Sequence, residues 1–195
     1  MHGDLYITGE EAADGLLNTN ADALLIGMLL DQQIPLEWAF RGPHTLLSRL
    51  GHLDVARLAT TEEDDLVAVA CEAPAIHRFP AVMARRIIAV CRVLVDDWDG
   101  RTDSMWADDP DGRTLARRLR ALPGFGPEKT KIFIALLAKR FGVRLDGWES
   151  AAGVFADDEP RTIADCDGPD GLATVRAWKA AQKAAGRDKQ GEPLG

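Results

Sequence analysis

The stretch 122-LPGFGPEKT-130 decides how the middle of this 195-residue chain folds. Two prolines and two glycines stand directly before an apolar run, 132-IFIALLA-138, which suits the body of a helix. Glycine permits backbone angles that a side chain forbids, and proline suits the first position of a helix. We therefore predict a tight hairpin between two helices, with the second helix running from Pro127 to Phe141.

This hairpin has the chemistry of an anion site. The backbone amides from Gly124 to about Lys129 fall at the start of the second helix, where amides have no intrahelical partner. Free amides at the positive end of a helix dipole attract an anion. The alternative is an ordinary helical corner that uses glycine only for packing.

The charge around the hairpin is opposite in sign to that of the whole chain. The net charge is −8, but residues 112–145 contain nine basic residues and a single acidic one, Glu128. A local positive field binds phosphates whatever the charge of the whole chain. The alternative is a solvated helical face. The nine basic residues are Arg113, Arg117, Arg118, Arg120, Lys129, Lys131, Lys139, Arg140 and Arg144.

Helical periodicity dominates the rest of the chain, and convincing alternating strands are absent, so we predict an all-α protein. We see no internal repeat and no interdomain linker. Residues 35–51 are expected to form two short helices broken at Gly42-Pro43, and the tail 186–195 is expected to fray. Longer helices are predicted over residues 21–33, with Asn20 as the N-cap, over residues 79–100 and from about residue 168 onward.

Other features exclude whole classes of protein. The three cysteines, Cys71, Cys91 and Cys166, fit neither a disulfide framework nor a CxxC metal site, and the histidines lack metal-ligand spacing. No apolar run reaches the roughly 18 residues of a membrane span, and the first residues do not resemble a signal peptide. We expect a monomeric, cytoplasmic protein without a bound metal, associated with the nucleoid if it is prokaryotic.

The hairpin stretch resembles the helix-hairpin-helix of the HhH-GPD superfamily of base-excision DNA glycosylases, the group that contains endonuclease III. Three further stretches agree in order: 24-LLIGMLLDQQ-33, 84-ARRIIAVCRVLV-95 and 143-VRLDGW-148. The resemblance covers about Leu24 to Trp148 and implies a two-lobed all-α fold within one domain, 1–195. The lobe with the hairpin would span about 30–142, and residues 1–29 with 143–195 would complete the second lobe.

The resemblance also implies roles for single residues. Aligning the hairpins without a gap places Asp146 at the family's catalytic aspartate, eighteen residues beyond Glu128. Its carboxylate would stabilise an oxocarbenium-like sugar or activate water. Glu128 stands where bifunctional members have the lysine that forms a Schiff base, so lyase activity is not expected. Gln33 matches the glutamine that enters the DNA stack. The alternatives are a turn at Asp146-Gly147 and a polar helix end at Gln33.

The remaining expectations concern ligands. Besides Gln33, the expected DNA contacts are Gly124, Phe125, Gly126, Lys129 and Lys131. Because Cys166 is the only cysteine after the hairpin, no iron–sulfur cluster is expected. The resemblance implies a possible monovalent cation at the hairpin carbonyls. A pocket could be lined by Trp38, His77, Arg85 and Arg86, but spacing does not choose among them.

The predicted function is base-excision repair of double-stranded DNA by a monofunctional DNA glycosylase. Such an enzyme hydrolyses the N-glycosidic bond of a damaged or mismatched base. One alternative is a non-catalytic helix-hairpin-helix protein that binds DNA or senses lesions. Another is a helical protein-interaction domain, which would leave the basic hairpin unexplained.

Overall fold

The computed structural model describes residues 1–193, and within them the chain forms ten α-helices and no β-strand beyond one isolated bridge between Arg187 and Pro193. Leu194 and Gly195, which belong to the predicted tail, lie outside the described residues. The all-α class is therefore confirmed. The helices are α1 (Glu11–Thr19), α2 (Ala21–Leu30), α3 (Leu36–Leu50), α4 (Val55–Thr60), α5 (Glu63–Cys71), α6 (Pro80–Asp97), α7 (Gly112–Arg120), α8 (Pro127–Arg140), α9 (Trp148–Ala152) and α10 (Gly171–Ala184).

Helix α2 lies at the centre of the molecule. Every residue from Ala23 to Leu30 is buried, because this helix is apolar on all sides and must be covered on all sides. Helices α1, α3 and α6 pack against it. The side chain of Asn20 accepts a hydrogen bond from the amide of Ala23 at 2.9 Å, which confirms the predicted N-cap.

The predicted end of α2 at residue 33 is wrong. The helix ends at Leu30, and residues 32–34 form a bend. The amide of Gln32 turns back to the carbonyl of Leu30 at 2.7 Å, and Gln33 adopts a left-handed φ of 58°. The last residues of the polar DQQ segment therefore leave the helix and project from its end.

The predicted break at Gly42-Pro43 is also wrong, because α3 continues through both residues. Both residues are buried, and a Cβ on Gly42 would lie 2.3 Å from Cδ1 of Leu30. Glycine thus lets α3 approach α2 closely. Proline inside a helix costs about 3 kcal/mol, and the packing of α3 against α2 offsets this cost.

The tail after α10 does not fray within residues 186–193. The carbonyl of Lys189 accepts a hydrogen bond from Arg161 at 3.0 Å, and the carboxylate of Asp188 accepts the amides of Gln190 and Glu192 at 2.8 and 2.9 Å. Composition alone predicted fraying because the partners that hold the tail from outside, Arg161 and Glu128, lie far away in the sequence.

One apolar core runs through the molecule. It includes Leu5 and Val175, from the predicted second lobe, together with Leu66 and Ile88 from the predicted first lobe. The hairpin helices α7 and α8 pack against each other and against α9. The partition into two lobes stays a prediction.

Helix α9 begins against the start of α7. The amide of Gly112 donates to the carbonyl of Asp146 at 2.8 Å. A Cβ on Gly112 would lie 2.9 Å from the carbonyl oxygen of Gly147 and 2.9 Å from the Cα of Trp148. Because both neighbours are backbone, neither can move aside without shifting α9.

We expect Gly112→Ala to lower the free energy of unfolding by about 1–3 kcal/mol, because the added methyl group would force α7 and α9 apart. Gly15→Ala is the matched control, since Gly15 lies on α1 with no atom near its missing Cβ. That change should raise stability by about 0.5–1 kcal/mol. Urea unfolding of both variants measures the difference, and equal effects would contradict the close contact.

Candidate nucleic-acid interface

The hairpin between α7 and α8 packs against the end of α2. Gly124 has a φ of 86°, and a Cβ there would lie 2.8 Å from Cδ1 of Leu29. The ring of Phe125 is 5% exposed and meets the ring of Phe133 edge-on, with centroids 6.0 Å apart. Phe125 therefore anchors the hairpin in the core, and only its backbone is placed to contact a ligand.

The predicted free amides are present at the hairpin. Gly124 and Gly126 are exposed, and a Cβ on Gly126 would meet open space. The first helical hydrogen bond runs from the amide of Thr130 to the carbonyl of Gly126 at 3.0 Å. Among residues 1–193, the amides of Gly124, Gly126, Glu128 and Lys129 have no hydrogen-bond partner. The turn thus offers donors for an anion.

Lys129 connects α8 to the end of α2. Its ammonium donates to the carbonyls of Met28, Leu29 and Asp31 at 2.5, 3.1 and 3.1 Å. These oxygens belong to the last turn of α2 and its cap, which no further helical amide can satisfy. A cation here also complements the negative end of the helix dipole. All three donors of the ammonium are used within the protein.

Two opposite charges, both partly buried, lie near each other at this place. Burial lowers the pKa of Lys129 to about 8, and the nearby Asp31 carboxylate opposes that decrease. Burial raises the pKa of Asp31, and Lys129 opposes that rise. At neutral pH Lys129 keeps its proton, as its three carbonyl partners require.

A cleft of about 180 Å³ opens beside the end of α2. The side chain of Gln32 joins its two walls: its Oε1 accepts from Arg86 at 2.6 Å, and its Nε2 donates to the carbonyl of Leu29 at 2.8 Å. Phe79 and Val82 are both 45% exposed and present an apolar surface at this cleft. The lining residues are Gln32, Gln33, His77, Phe79, Val82, Met83 and Arg86.

His77 is held as a neutral imidazole in this cleft. Its Nδ1 accepts from the amide of Phe79 at 2.9 Å, so its Nε2 carries the hydrogen that bonds the carbonyl of Gln32 at 2.9 Å. Burial lowers the pKa of His77, and the charges of Arg78 and Lys129 lower it further. The ring ties the segment before α6 to the bend after α2.

Gln33 lies at the mouth of the cleft and is exposed. Its left-handed backbone costs a residue with a Cβ about 1–2 kcal/mol. Strained residues of this kind concentrate at functional sites, so exposure and strain together favour a role in binding.

Of the four residues considered for a pocket, His77 and Arg86 line this cleft. Arg85 instead pairs with Glu63 at 3.3 Å.

The fourth of these residues, Trp38, supports the cleft from behind. Its Nε1 donates to the carbonyl of Ala75 at 3.0 Å, and its ring lies 6.5 Å from that of His77. Sequence reasoning missed Phe79 and Val82, which it had placed only on a long helix. The spacing of apolar residues in this segment does not show that these two side chains are exposed in the fold.

Asp146 does not line the cleft. Its carboxylate is exposed, while its carbonyl holds Gly112 at the start of α7. The hairpin follows the other end of α7, and the nine residues of that helix span about 13 Å. The structure therefore brings Gln33 and the hairpin together, and it places Asp146 at the opposite end of α7 from the hairpin.

Several of the nine basic residues are neutralised within the protein. Arg118 pairs with Asp108 at 2.6 Å, and Lys139 pairs with Asp165 at 2.7 Å. Arg140 is engaged by carboxylates in the same way. By contrast, Arg113, Arg117 and Arg120 are exposed on one face of α7 and make no ion pair among residues 1–193. These three arginines lead along α7 to the hairpin.

Lys131 and Glu128 both face away from the cleft. The ammonium of Lys131 lies beside Gly153, after α9, and would be 3.8 Å from a Cβ on that glycine. Glu128 pairs with Lys189 at 2.7 Å and accepts from Gln190 at 3.0 Å, so both partners of its carboxylate come from the tail. No cluster of His, Cys, Asp and Glu suited to a metal occurs in the described part of the chain.

An all-α chain with open hairpin amides and an adjoining cleft has the features of a helix-hairpin-helix protein that binds DNA. A family model described as HhH-GPD superfamily base excision DNA repair protein matches residues 26–139. The match covers more than half of the chain, and the chain belongs to this superfamily. Searches among curated proteins and among solved structures found no significant match. No helix within residues 1–193 is long and apolar enough to cross a membrane.

We expect Lys129→Met to lower the free energy of unfolding by about 2–4 kcal/mol, because three carbonyls at the end of α2 lose a charged donor. Lys131→Met is the matched control and should change it by less than about 1 kcal/mol. Urea unfolding at neutral pH measures both. A Lys129→Met protein as stable as the control would show that the contact with α2 is dispensable.

Proposed function

We propose that this base-excision repair protein is a monofunctional DNA N-glycosylase that acts on a damaged or mismatched base in double-stranded DNA. The observation that carries the proposal is the cleft at the end of α2, which adjoins the open amides of the hairpin. A flipped base needs such a recess next to a phosphate site. Family membership supports DNA repair as the setting.

The proposed contacts follow from what each group can offer. The amides of Gly124 and Gly126, with Lys131 nearby, bind backbone phosphates. The exposed amide of Gln33 enters the stack and fills the space that the base leaves. The ring of Phe79 stacks on the extruded base, and Arg86 offers a donor to its edge. The carbonyls of Leu122 and Gly126 each accept one amide and keep a lone pair for a monovalent cation.

The proposed chemistry is hydrolysis. The bond between the base and C1′ breaks, the base leaves with the bonding electrons and gains a proton, and water adds a hydroxyl to C1′. A carboxylate stabilises the cationic sugar or takes the proton from water. We assign this role to Asp146 from the register of the hairpin resemblance, although Asp146 lies beyond residues 26–139, which the family model matches. Asp31 is a second carboxylate to test, because it directly precedes Gln32 at the cleft.

Lyase activity is not expected from this arrangement. In the proposed register Glu128 stands at the family's lysine position, and the ammonium of Lys129 donates to three carbonyls instead of facing the cleft as a free amine. A Schiff base requires an unprotonated amine with room to attack C1′.

One observation favours a second function. Asp146 is exposed beside Gly112 and does not line the cleft, so the protein could bind lesions without excising them. In this alternative the hairpin, Gln33 and the cleft keep their binding roles. The bound DNA then loses bases no faster than DNA without the protein.

Base release from a panel of modified and mismatched duplexes tests the proposal. Wild-type protein should release at least one base, and Asp146→Asn should slow that release by about 100-fold or more. Glu149→Gln, an exposed change on α9, is the control and should be neutral. If Asp31→Asn abolished base release and Asp146→Asn did not, the catalytic carboxylate would be Asp31 at the end of α2.

Two outcomes contradict the proposal. Tight duplex binding without release from any member of the panel would establish the non-catalytic alternative. A covalent adduct after borohydride treatment of the protein with abasic DNA would show that the protein uses an amine and is not monofunctional.

A further inference from the structure

The C-terminal tail, residues 186–193, forms a loop that is hydrogen-bonded back onto α10. Gly186 has a φ of 70°, and its amide closes α10 on the carbonyl of Lys183 at 3.0 Å. The amide of Arg187 then returns to the carbonyl of Gln182 at 2.9 Å. The carboxylate of Asp188 is used inside the loop, where it accepts two backbone amides.

This loop is fastened to the start of α8. Both carboxylate oxygens of Glu128 are engaged, one by the ammonium of Lys189 at 2.7 Å and the other by the side-chain amide of Gln190 at 3.0 Å. Arg161 holds the carbonyl of Lys189 from the other side and forks onto Asp157. Glu128 is the second residue of α8, so the loop lies directly beside the hairpin.

Helix α10 and the loop together form a second concave surface, of about 280 Å³. We call it the C-terminal basic cleft, and its lining residues are Lys179, Lys183, Arg187, Asp188 and Lys189. Lys179 is partly buried, and burial, together with the charge of Lys189, lowers its pKa. The positive charges of Lys179 and Lys189 thus repel each other.

Three of the four cations in this cleft lack an ion-pair partner among residues 1–193. Asp188 is committed to the loop, and Glu128 pairs with Lys189 alone. Among residues 1–193, Lys179, Lys183 and Arg187 make no ion pair. Cations gathered in one recess favour an anionic ligand with more than one charge.

We propose that the C-terminal basic cleft binds the phosphodiester backbone of the DNA substrate, as a second phosphate contact beside the hairpin. The inference rests on the proposed function, since it presumes duplex DNA at the hairpin. The position of Glu128 selects this ligand: a strand held by the amides that begin α8 continues past the loop that Glu128 anchors. In this account Glu128 does not face the DNA but holds the tail that does.

Salt dependence of DNA affinity tests the inference. Lys183→Ala combined with Arg187→Ala should weaken binding to a lesion-bearing duplex about tenfold near physiological salt. It should also reduce the slope of log K against log salt by about 1–2, because each lost phosphate contact removes about 0.9. The control pair is Arg57→Ala with Arg101→Ala, which removes the same charge from exposed sites and should leave the slope unchanged.

The outcomes are separable. An unchanged slope in the Lys183 and Arg187 double variant, with normal wild-type binding, overturns the cleft while leaving the proposed function intact. Tighter binding also overturns it, because the tail would then act as a cover. Absence of wild-type duplex binding overturns both proposals. Lys183→Gln combined with Arg187→Gln repeats the test while keeping more of the length of each side chain. Thermal unfolding midpoints that match those of the wild-type protein exclude unfolding as the cause of weaker binding.

Discussion

The contact between Lys129 and the last carbonyls of α2 fixes the geometry on which the candidate interface depends. Helix α2 is buried at the centre, and among residues 1–193 the carbonyls of Met28 and Asp31 at its end have no donor other than Lys129. Lys129 supplies that donor from the first turn of α8. Since Gln32 and Gln33 follow α2 after its cap residue Asp31, and the hairpin directly precedes Lys129, this contact sets the cleft beside the hairpin.

The same structure explains how an acidic chain presents a positive surface. Ion pairs such as Arg118 with Asp108 and Lys139 with Asp165 use basic residues to hold loops against α7 and α8. Cations left to solvent include those along α7 and those in the C-terminal basic cleft. Net charge averages over this arrangement, whereas a phosphate responds to the local field.

Local signals predicted local structure well. The hairpin with Pro127 beginning α8, the cap at Asn20 and the all-α class all depend on neighbouring residues, and the structure confirms them. The end of α2, the continuity of α3 through Pro43 and the packed tail depend on partners far away in the sequence. The cleft was also out of reach, since His77 and Arg86 meet Gln32 only in the fold.

The most direct test of the account is the response of the hairpin amides to DNA, measured by amide NMR of the labelled protein titrated with a mismatched duplex. The account predicts that the amides of Gly124, Gly126, Glu128 and Lys129 show the largest shift changes and gain protection from hydrogen exchange, because phosphate oxygens become their acceptors. The amide of Gly15 on α1 should not respond. Saturating duplex binding that leaves the four hairpin amides unchanged would contradict the account.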